Sequence, residues 1–393
     1  MQIPVLTLAP RQTHRCLAGH PWVFRSEFAA IPEDLPANTA VRLEDHRNKL
    51  VGTGLYSAKS QIAVRLVSRQ GLAPDGGLLD QRIGDAIARR LATPGIGPAR
   101  RLINSEGDGL PGLIVDEYDT RLVVQSTTAP MDARLPALLA RLHQLRQPTQ
   151  VILRHDLPVR ALEGLDQTVR IVHGAEDGRV QVRIGALNVQ VDLLDPHKTG
   201  AYLDQQANHL GFAQFVKPGD RIADVCCHLG GFALHGLLAG AAKAVGIDQA
   251  AASCAAATAT AQANGLGDKF TAVEADAFAW LGQAAQAGER FDVIVLDPPS
   301  FTRNRAGAAQ ALTGYRDLHR RALKLLAPGG RLLTYSCSFH VPREEFLGTL
   351  TAAAADAHRD LRLLASQGPA ADHPSDPGAP ETDYLKGYAV AVE

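Results

Sequence analysis

The sequence predicts an α/β fold in which a C-terminal domain with a parallel-dominated sheet follows a small β-rich domain and an α+β middle domain. From about residue 187, apolar runs of four to six residues alternate with helical stretches, as in parallel sheets covered by helices on both faces. The first 67 residues hold short β-type runs separated by Gly, Asn and Pro. The region between mixes strand and helix patterns, and 393 residues suffice for two or three domains.

The first two domains are predicted at residues 1–70 and 75–186. In the first, β-type runs over 40–57 and 61–68 favour a small barrel, and a Gly- and Pro-containing linker follows at 68–77. The second domain opens on a helix, because apolar residues recur at helical spacing over 78–92. Its other predicted elements are strands within 102–118 and at 121–127, 151–155 and 169–174, and a helix around 131–145.

The third domain is predicted at residues 187–393. Its strands are predicted at 222–226, 243–248, 270–276, 291–297, 330–337 and 388–393, and its helices include 231–240, 249–263 and 308–326. Each of the first four strands runs into a carboxylate or a cysteine. Ligands of such sheets bind beyond the carboxyl ends of the strands, so we expect the functional site at those residues.

Composition and charge exclude several classes of protein. No apolar run approaches 18 residues, so no membrane span is predicted, and the N-terminus lacks the pattern of an export signal. The five cysteines are odd in number and form no CxxC, which favours reduced thiols in a cytoplasm and predicts no metal site. Residues 1–67 carry eight Lys/Arg against five Asp/Glu, whereas residues 187–393 carry 17 against 22. The basic front permits an anionic partner but is as well explained by a solvated face.

Three carboxylates, Asp224, Asp248 and Asp276, follow successive predicted strands. Asp224 precedes a glycine pair, where the backbone can approach a ligand closely. The pattern is not GxGxxG, so it disfavours a nicotinamide dehydrogenase. Each acid taken alone could equally cap a helix, but three in succession favour a nucleoside ligand without a phosphate to neutralise.

The order of these motifs resembles a known family. Asp224 with its glycine pair, Asp248, Asp276, DPPSF (297–301) and YSCS (335–338) are similar to the class I S-adenosylmethionine-dependent methyltransferases. More narrowly, the chain resembles the bacterial 23S ribosomal RNA cytosine-C5 methyltransferases that carry an N-terminal PUA domain. Four further segments resemble that family, in this chain order: RCLAGHPWVFRSEF, LINSEGDGLPGLIVDEY, HKTGAYLDQQANH and ETDYLKGYAV.

The resemblance implies a Rossmann-like catalytic domain, a PUA-like RNA-binding domain, S-adenosylmethionine as cofactor, ribosomal RNA as partner and a homodimer in the cytoplasm. It also implies which residues hold the cofactor, from its methionine end to its adenine. These residues are Lys198, Thr199, Gly200, Asp204, Asp224, Gly230, Asp248, Asp276 and Ala277.

Cys337 and Asp297 are the predicted catalytic residues. Cytosine C5 is a poor nucleophile, and addition of a thiolate to C6 activates it by splitting one difficult step into easier ones. Cys337 ends the strand 330–337, and Asp297 ends the strand 291–297, where an acid could meet N3 and the amine of the base. The alternative for Cys337 is a small buried apolar residue. Cys226 and Cys227 also follow a strand, but we expect them to pack in the cofactor loop.

The residue at position 300 distinguishes C5 methylation by a single cysteine from related methylation reactions. A two-cysteine mechanism needs a cysteine directly after the proline pair, where Ser300 stands, and amine methylation usually goes with an aromatic residue there. Because Phe301 follows, amine methylation is disfavoured and not excluded. The predicted contacts of the RNA base, which would have to flip out of folded RNA, are Pro298, Ser300, Phe301, Arg303 and Arg305. Two rivals stay open: a methyltransferase of the same fold with another target atom or RNA, and an inactive RNA-binding or ribosome-assembly factor.

Overall fold

A computed structural model of the chain describes residues 3–10, 13–194, 200–302 and 304–393. The chain divides into two compact units. The first consists of Met1–Val182, Val191–Ala201 and Ala371–Thr382, and the second of Arg183–Gln190, Tyr202–Ala370 and Asp383–Glu393. Among the described residues, no helix combines the length and the apolar character that a membrane crossing requires.

The first unit begins with a five-stranded sheet. Its strands are β1 Val5–Thr7, β2 Trp22–Phe24, β3 Ala40–Glu44, β4 Leu50–Tyr56 and β5 Ile62–Ser68. Their order is β1-β3-β4-β5-β2, with β1 parallel to β3 and the other neighbours antiparallel. Leu6, Val23, Leu43 and Val64 are buried in a common core, which agrees with the β-rich front that the sequence predicts.

A second sheet of the same unit carries helices. Its strands are β6 Ala99–Asn104, β7 Leu113–Tyr118, β8 Arg121–Ser126, β9 Gln150–Arg154 and β10 Val169–His173, in the order β10-β9-β8-β7-β6. The helices are α1 Gly76–Ala92, α2 Ala129–Asp132, α3 Leu135–Arg146 and α4 Val159–Leu162. Leu79 and Ile83 lie one turn apart on α1 and pack in one core with Leu138 of α3, as the helical spacing predicts.

A hairpin follows, formed by β11 Arg179–Ile184 and β12 Leu187–Asp192. Buried and exposed residues alternate along both strands, because successive side chains of a strand point to opposite faces. The predicted domain boundary after residue 186 falls in the turn of this hairpin. The division of the chain into three domains stays a prediction.

The second unit contains a seven-stranded sheet. Its strands are β13 Arg221–Val225, β14 Lys243–Asp248, β15 Phe270–Glu274, β16 Phe291–Leu296, β17 Leu326–Ser336, β18 Leu361–Gln367 and β19 Lys386–Val392. Their order is β15-β14-β13-β16-β17-β19-β18; the first five are parallel, and β19 runs antiparallel between β17 and β18. This mostly parallel sheet confirms the predicted Rossmann-like fold.

Helices cover both faces of this sheet. They are α5 Gln206–Gly211, α6 Gly231–Leu238, α7 Ala251–Ala263, α8 Ala277–Gln286, α9 Ala308–Leu325 and α10 Arg343–Ala357. Ala223 of β13 belongs to the core that the sheet forms with α8, α9 and α10. The preceding Ile222 points to the other face, where α6 approaches so closely that a side chain at Gly236 would collide with it. Because helices cover both faces, the edge formed by the carboxyl ends of the parallel strands is the part of the sheet that they leave uncovered.

Candidate functional site

Four predicted acids stand at the carboxyl ends of adjacent parallel strands. Asp224 is the last residue but one of β13, Asp248 is the last residue of β14, Asp276 follows β15 by two residues, and Asp297 directly follows β16. Because these strands are neighbours and run in parallel, the acids share one edge of the sheet. This is the arrangement that the sequence predicts.

The loop between β13 and α6 has an unusual backbone. Cys226 and His228 have φ angles of 68° and 48°, in the left-handed region that side chains disfavour. Gly230 has φ 77° and caps α6, where a glycine avoids this strain. The N–H of His228 donates to Oδ2 of Asp248 (3.0 Å), so the loop is fixed by the acid of the neighbouring strand. Strained residues that surrounding contacts hold in place are typical of ligand sites.

Asp224 has an unpaired carboxylate oxygen. Its Oδ2 accepts from the N–H of Ala233 (3.0 Å), but its buried Oδ1 has no hydrogen-bond partner among the described residues. Burial, helped by the negative charges of Asp297 and Asp248, raises the pKa of Asp224 to about 7. A buried carboxylate oxygen without a donor fits a cationic ligand group, and the ammonium group of S-adenosylmethionine is one.

Asp248 and Asp276 are held differently. Asp248 accepts one N–H on each oxygen, from His228 and from Ala250 (3.0 Å), which leaves further lone pairs for the hydroxyl groups of a ribose. Asp276 is exposed and caps α8, since its Oδ1 accepts from the N–H of Ala279 (2.9 Å). Ala277 is the first residue of that helix. The capping role that the sequence left open for these acids is therefore found at Asp276.

The segment before α5 is described in part. Lys198 and Thr199 lie outside the described residues. Gly200 belongs to the first unit and has φ 127°, and a Cβ there would collide with Val191. Asp204 belongs to the second unit, is buried, and accepts from the hydroxyl of Tyr384 on Oδ2 (2.6 Å).

Asp297 is oriented by residues that sequence reasoning did not single out. Gln205 donates from Nε2 to Oδ2 of Asp297 (2.9 Å), and Asn208 donates from Nδ2 to Oε1 of Gln205 (2.6 Å). These two amides fix the carboxylate at the end of β16. Both stand in the segment HKTGAYLDQQANH, so the resemblance offered a signal for them.

The DPPSF segment continues from Asp297 along the same edge. Pro298 is buried and Ser300 is exposed. The ring of Phe301 stacks on Tyr315 of α9, with ring centroids 4.5 Å apart. This contact with α9 supports the DPPSF segment. Stacking of Phe301 on a base stays a prediction. Arg303 lies outside the described residues, whereas Arg305 is exposed.

A chain of hydroxyl groups joins this segment to YSCS. Ser300 gives its only hydroxyl proton to the carbonyl of Thr302 (2.7 Å), so it must accept from Ser338 at 3.0 Å. Ser338 then accepts from Tyr315 (2.9 Å), and Tyr315 accepts from Ser336 (3.0 Å). Each hydroxyl in this chain donates once. Because Ser336 and Ser338 flank Cys337, the network fixes the segment that presents the thiol.

Replacing Ser338 by alanine is expected to lower the free energy of unfolding by about 1–3 kcal/mol, because the buried hydroxyl of Tyr315 and the part-buried N–H of Phe301 lose their acceptor. Urea unfolding followed by circular dichroism measures the change. Ser366→Ala on β18 is the matched control, because Ser366 is exposed and its removal should cost less than about 0.5 kcal/mol. Equal stabilities of the two variants would contradict the network.

Cys337 follows β17 directly and is half-buried at the same edge as Asp297. Both groups act on the hydroxyl of Tyr202. Burial, and then the negative charges of Asp297 and Cys337, raise the pKa of Tyr202 to about 12. The thiols of Cys226 and Cys227 are different. Burial raises the pKa of both, and nearby acids raise it further, which opposes a nucleophilic role.

Comparison with known proteins adds two matches to family models. Residues 6–69 match a PUA-like domain, and residues 109–375 match the S-adenosylmethionine-dependent methyltransferases. The predicted PUA-like front and the predicted cofactor are thereby confirmed.

Curated relatives match along nearly the whole chain. The chain is 34% identical over 380 residues to "Ribosomal RNA large subunit methyltransferase I" of Photobacterium profundum, covering 95% of this chain and 96% of that protein. It is 34% identical over 396 residues to the protein of the same name from Vibrio cholerae, covering 99% of each.

Solved structures share the fold. "A putative sam-dependent methyltransferase from Streptococcus mutans" superposes with a TM-score of 0.83 at 18% identity, covering 99% of this chain and 100% of that chain. A second structure, of a methyltransferase named as putative and complexed with SAH, has the same TM-score and identity and covers 100% of both chains.

Proposed function

The chain belongs to the S-adenosylmethionine-dependent methyltransferases of ribosomal RNA, and we propose that it makes 5-methylcytidine in 23S ribosomal RNA through a covalent bond between Cys337 and C6 of the base. The observation that carries the proposal is the position of Cys337 and Asp297, at the carboxyl ends of neighbouring parallel strands. A thiol at this edge has a chemical use if the target atom is a carbon, whereas an exocyclic amine can accept a methyl group without it.

The register of the sheet supports a shared site for the two residues. Leu296 of β16 pairs with Thr334 of β17, so Asp297 leaves the sheet at the level of Tyr335, two residues before Cys337 on the neighbouring strand. Their charges act on the same hydroxyl, that of Tyr202. Gln205 orients the carboxylate, and the hydroxyl network of Ser338 fixes the backbone beside the thiol. Each catalytic group therefore has its own support.

In the proposed reaction, the thiolate of Cys337 adds to C6 of cytosine, and the electron pair of the C5–C6 double bond moves toward C5. Asp297 meets N3 and the exocyclic amine of the base, where it accepts a hydrogen bond from the amine and so orients the ring. S-adenosylmethionine, when bound, supplies a methyl group carried on a sulfonium, and C5 takes that methyl group with its electron pair as the methyl–sulfur bond breaks. Loss of the C5 proton to a base then restores the double bond and expels the Cys337 thiolate, so that the protein returns to its starting state.

We assign the cofactor to the acids at the ends of β13, β14 and β15. Asp224 would hold the ammonium group, since its Oδ1 is buried and receives no hydrogen bond from the described residues. Asp248 would accept from the ribose hydroxyls, and Asp276 with Ala277 would lie beside the adenine. Gly230 would let the backbone approach the methionine end of the cofactor. Asp204 would line the same end, as the resemblance implies.

The RNA is assigned to the PUA-like segment and to Arg305 beside the site. Three arginines of the front are engaged within the chain: Arg15 and Arg42 in ion pairs, and Arg25 with three carbonyl oxygens. Arg47 and Lys49 are exposed and make no ion pair among the described residues, so they are available to contact phosphate groups. A homodimer and a cytoplasmic location stay predictions.

Bisulfite sequencing of 23S ribosomal RNA tests the proposal. RNA from a strain that lacks the gene is compared with RNA from the same strain carrying the wild-type gene. We expect one cytosine to be protected from deamination only when the gene is present. If methylation appears on an exocyclic amine, or no cytosine changes, the C5 reaction on this RNA is wrong.

A further inference from the structure

Lys386 is a buried lysine for which the proposed reaction has no use. It is the first residue of β19, directly opposite Ser336 of β17 in the antiparallel pairing, and only 3% of it is exposed. Its Nζ donates to the carbonyls of Ser338 (2.7 Å) and Val341 (2.8 Å), both in the loop that begins at Cys337. Lysines are rarely buried to this degree, because burial of an ammonium is costly.

The electrostatics of Lys386 involve the thiol. Burial lowers the pKa of Lys386 to about 8, while the negative charge of Cys337 opposes that shift. Arg343 lowers this pKa and Asp383 raises it, and these are the other charged groups that act on the ammonium. At neutral pH the ammonium keeps its proton. Attraction between two charges is mutual, so the ammonium stabilises the thiolate of Cys337 as the thiolate stabilises it.

We propose that Lys386 is a positioning residue for Cys337, holding the loop at 337–341 by two carbonyl groups and providing, at neutral pH, a positive charge that favours the thiolate. The proposal rests on the proposed function only in taking Cys337 as the nucleophile. A lysine that merely clamps the loop would be replaceable by a neutral donor, whereas a charge partner would not. The charge of Cys337 also raises the pKa of two phenol groups, those of Tyr202 and Tyr315.

The test is the pH dependence of alkylation of Cys337 by iodoacetamide in the purified full chain. Thiolate displaces iodide and forms a carbon–sulfur bond, and mass spectrometry of the Cys337 peptide gives the rate between pH 6 and 10. Burial raises the pKa of the other thiols, with that of Cys16 at about 11, so Cys337 should react first.

Three variants separate charge from hydrogen bonding. Lys386→Gln keeps two N–H donors and loses the charge, and its half-maximal alkylation is expected to move up by about one pH unit. Lys386→Arg keeps the charge and should stay within about 0.3 pH units of the wild type. Lys324→Gln removes an exposed charge from α9 and should leave the profile unchanged.

An unchanged profile in Lys386→Gln overturns the proposal and leaves Lys386 as a clamp. If circular dichroism shows that this variant does not fold, the wild type and Lys386→Arg decide. If alkylation of Cys337 is half-maximal below about pH 8.5, the ordinary pKa of a cysteine, in both proteins, the proposal is supported. A half-maximal pH at or above that value in either protein overturns it. Failure of the wild type to methylate C5 would overturn the proposed function and leave the alkylation result standing.

Discussion

Cys337→Ala is expected to reduce methyl transfer to cytosine C5 by a factor on the order of 10⁴ or more, because the ring then has no thiolate to activate it. Release of tritium from cytosine labelled at C5 in an RNA transcript measures this step directly. The thiol is half-buried and small, so the variant should fold and should bind S-adenosylmethionine as tightly as the wild type. Isothermal titration checks that binding.

RNA containing 5-fluorocytidine makes the same prediction visible as a covalent complex. A fluorine at C5 cannot leave as a proton does, so the wild-type enzyme should stay bonded to the base in denaturing gel electrophoresis. Cys337→Ala should give no such band. Cys16→Ala is the matched control, since Cys16 lies buried in the core of the first sheet and has no part in the site. Tritium release by Cys337→Ala at the control's rate would refute the adduct.

The elements that the sequence predicts best are those with a strong local pattern. The run KAVGID is predicted as a strand over 243–248 and is found there, because it is a short apolar run bounded by helices. The sequence analysis does not predict the hairpin 179–192, although RVQVRI and LNVQVD alternate apolar and polar residues with a glycine between them. This alternation is also a local pattern, but the predicted domain boundary falls in the turn of the hairpin.

The support of the site could not be predicted from local patterns. Lys386 and Ser338 are 48 residues apart, and only the antiparallel return of β19 beside β17 brings the ammonium to the carbonyl. Tyr315 reaches Ser338 from α9, on a helix whose apolar spacing predicts a core residue and says nothing of its hydroxyl. Strand-end acids differ from these residues, because the fold alone sends every parallel strand end to one edge.

Asp224 carries the second large expected effect, a dependence of cofactor affinity on pH. Its pKa is raised to about 7, chiefly by burial, so the carboxyl group is mostly protonated at pH 6 and about half ionised at pH 7. An ammonium ligand binds the ionised form. Because the apparent affinity scales with the fraction in the competent form, affinity for S-adenosylmethionine should rise about fivefold from pH 6 to pH 7.

Two nearby imidazoles have pKa values shifted below their usual range. Burial lowers the pKa of His209 to about 3, so His209 stays neutral above pH 6, and burial also lowers the pKa of His235. The α-amino group of the ligand loses its own proton near pH 8, which limits the useful range to pH 7.5 and below. The rise between pH 6 and 7 therefore reports on Asp224.

Asp224→Asn should bind S-adenosylmethionine at least about 30-fold more weakly at pH 7, since a buried partner of the ammonium loses its charge. Its affinity should also be flat between pH 6 and 7, because no carboxyl group remains to ionise. Asp268→Asn removes an exposed carboxylate of the same unit and should keep both the wild-type affinity and its pH dependence. Isothermal titration at pH 6.0, 6.5 and 7.0 compares the three proteins. A pH-dependent affinity that persists in Asp224→Asn would place the ammonium elsewhere.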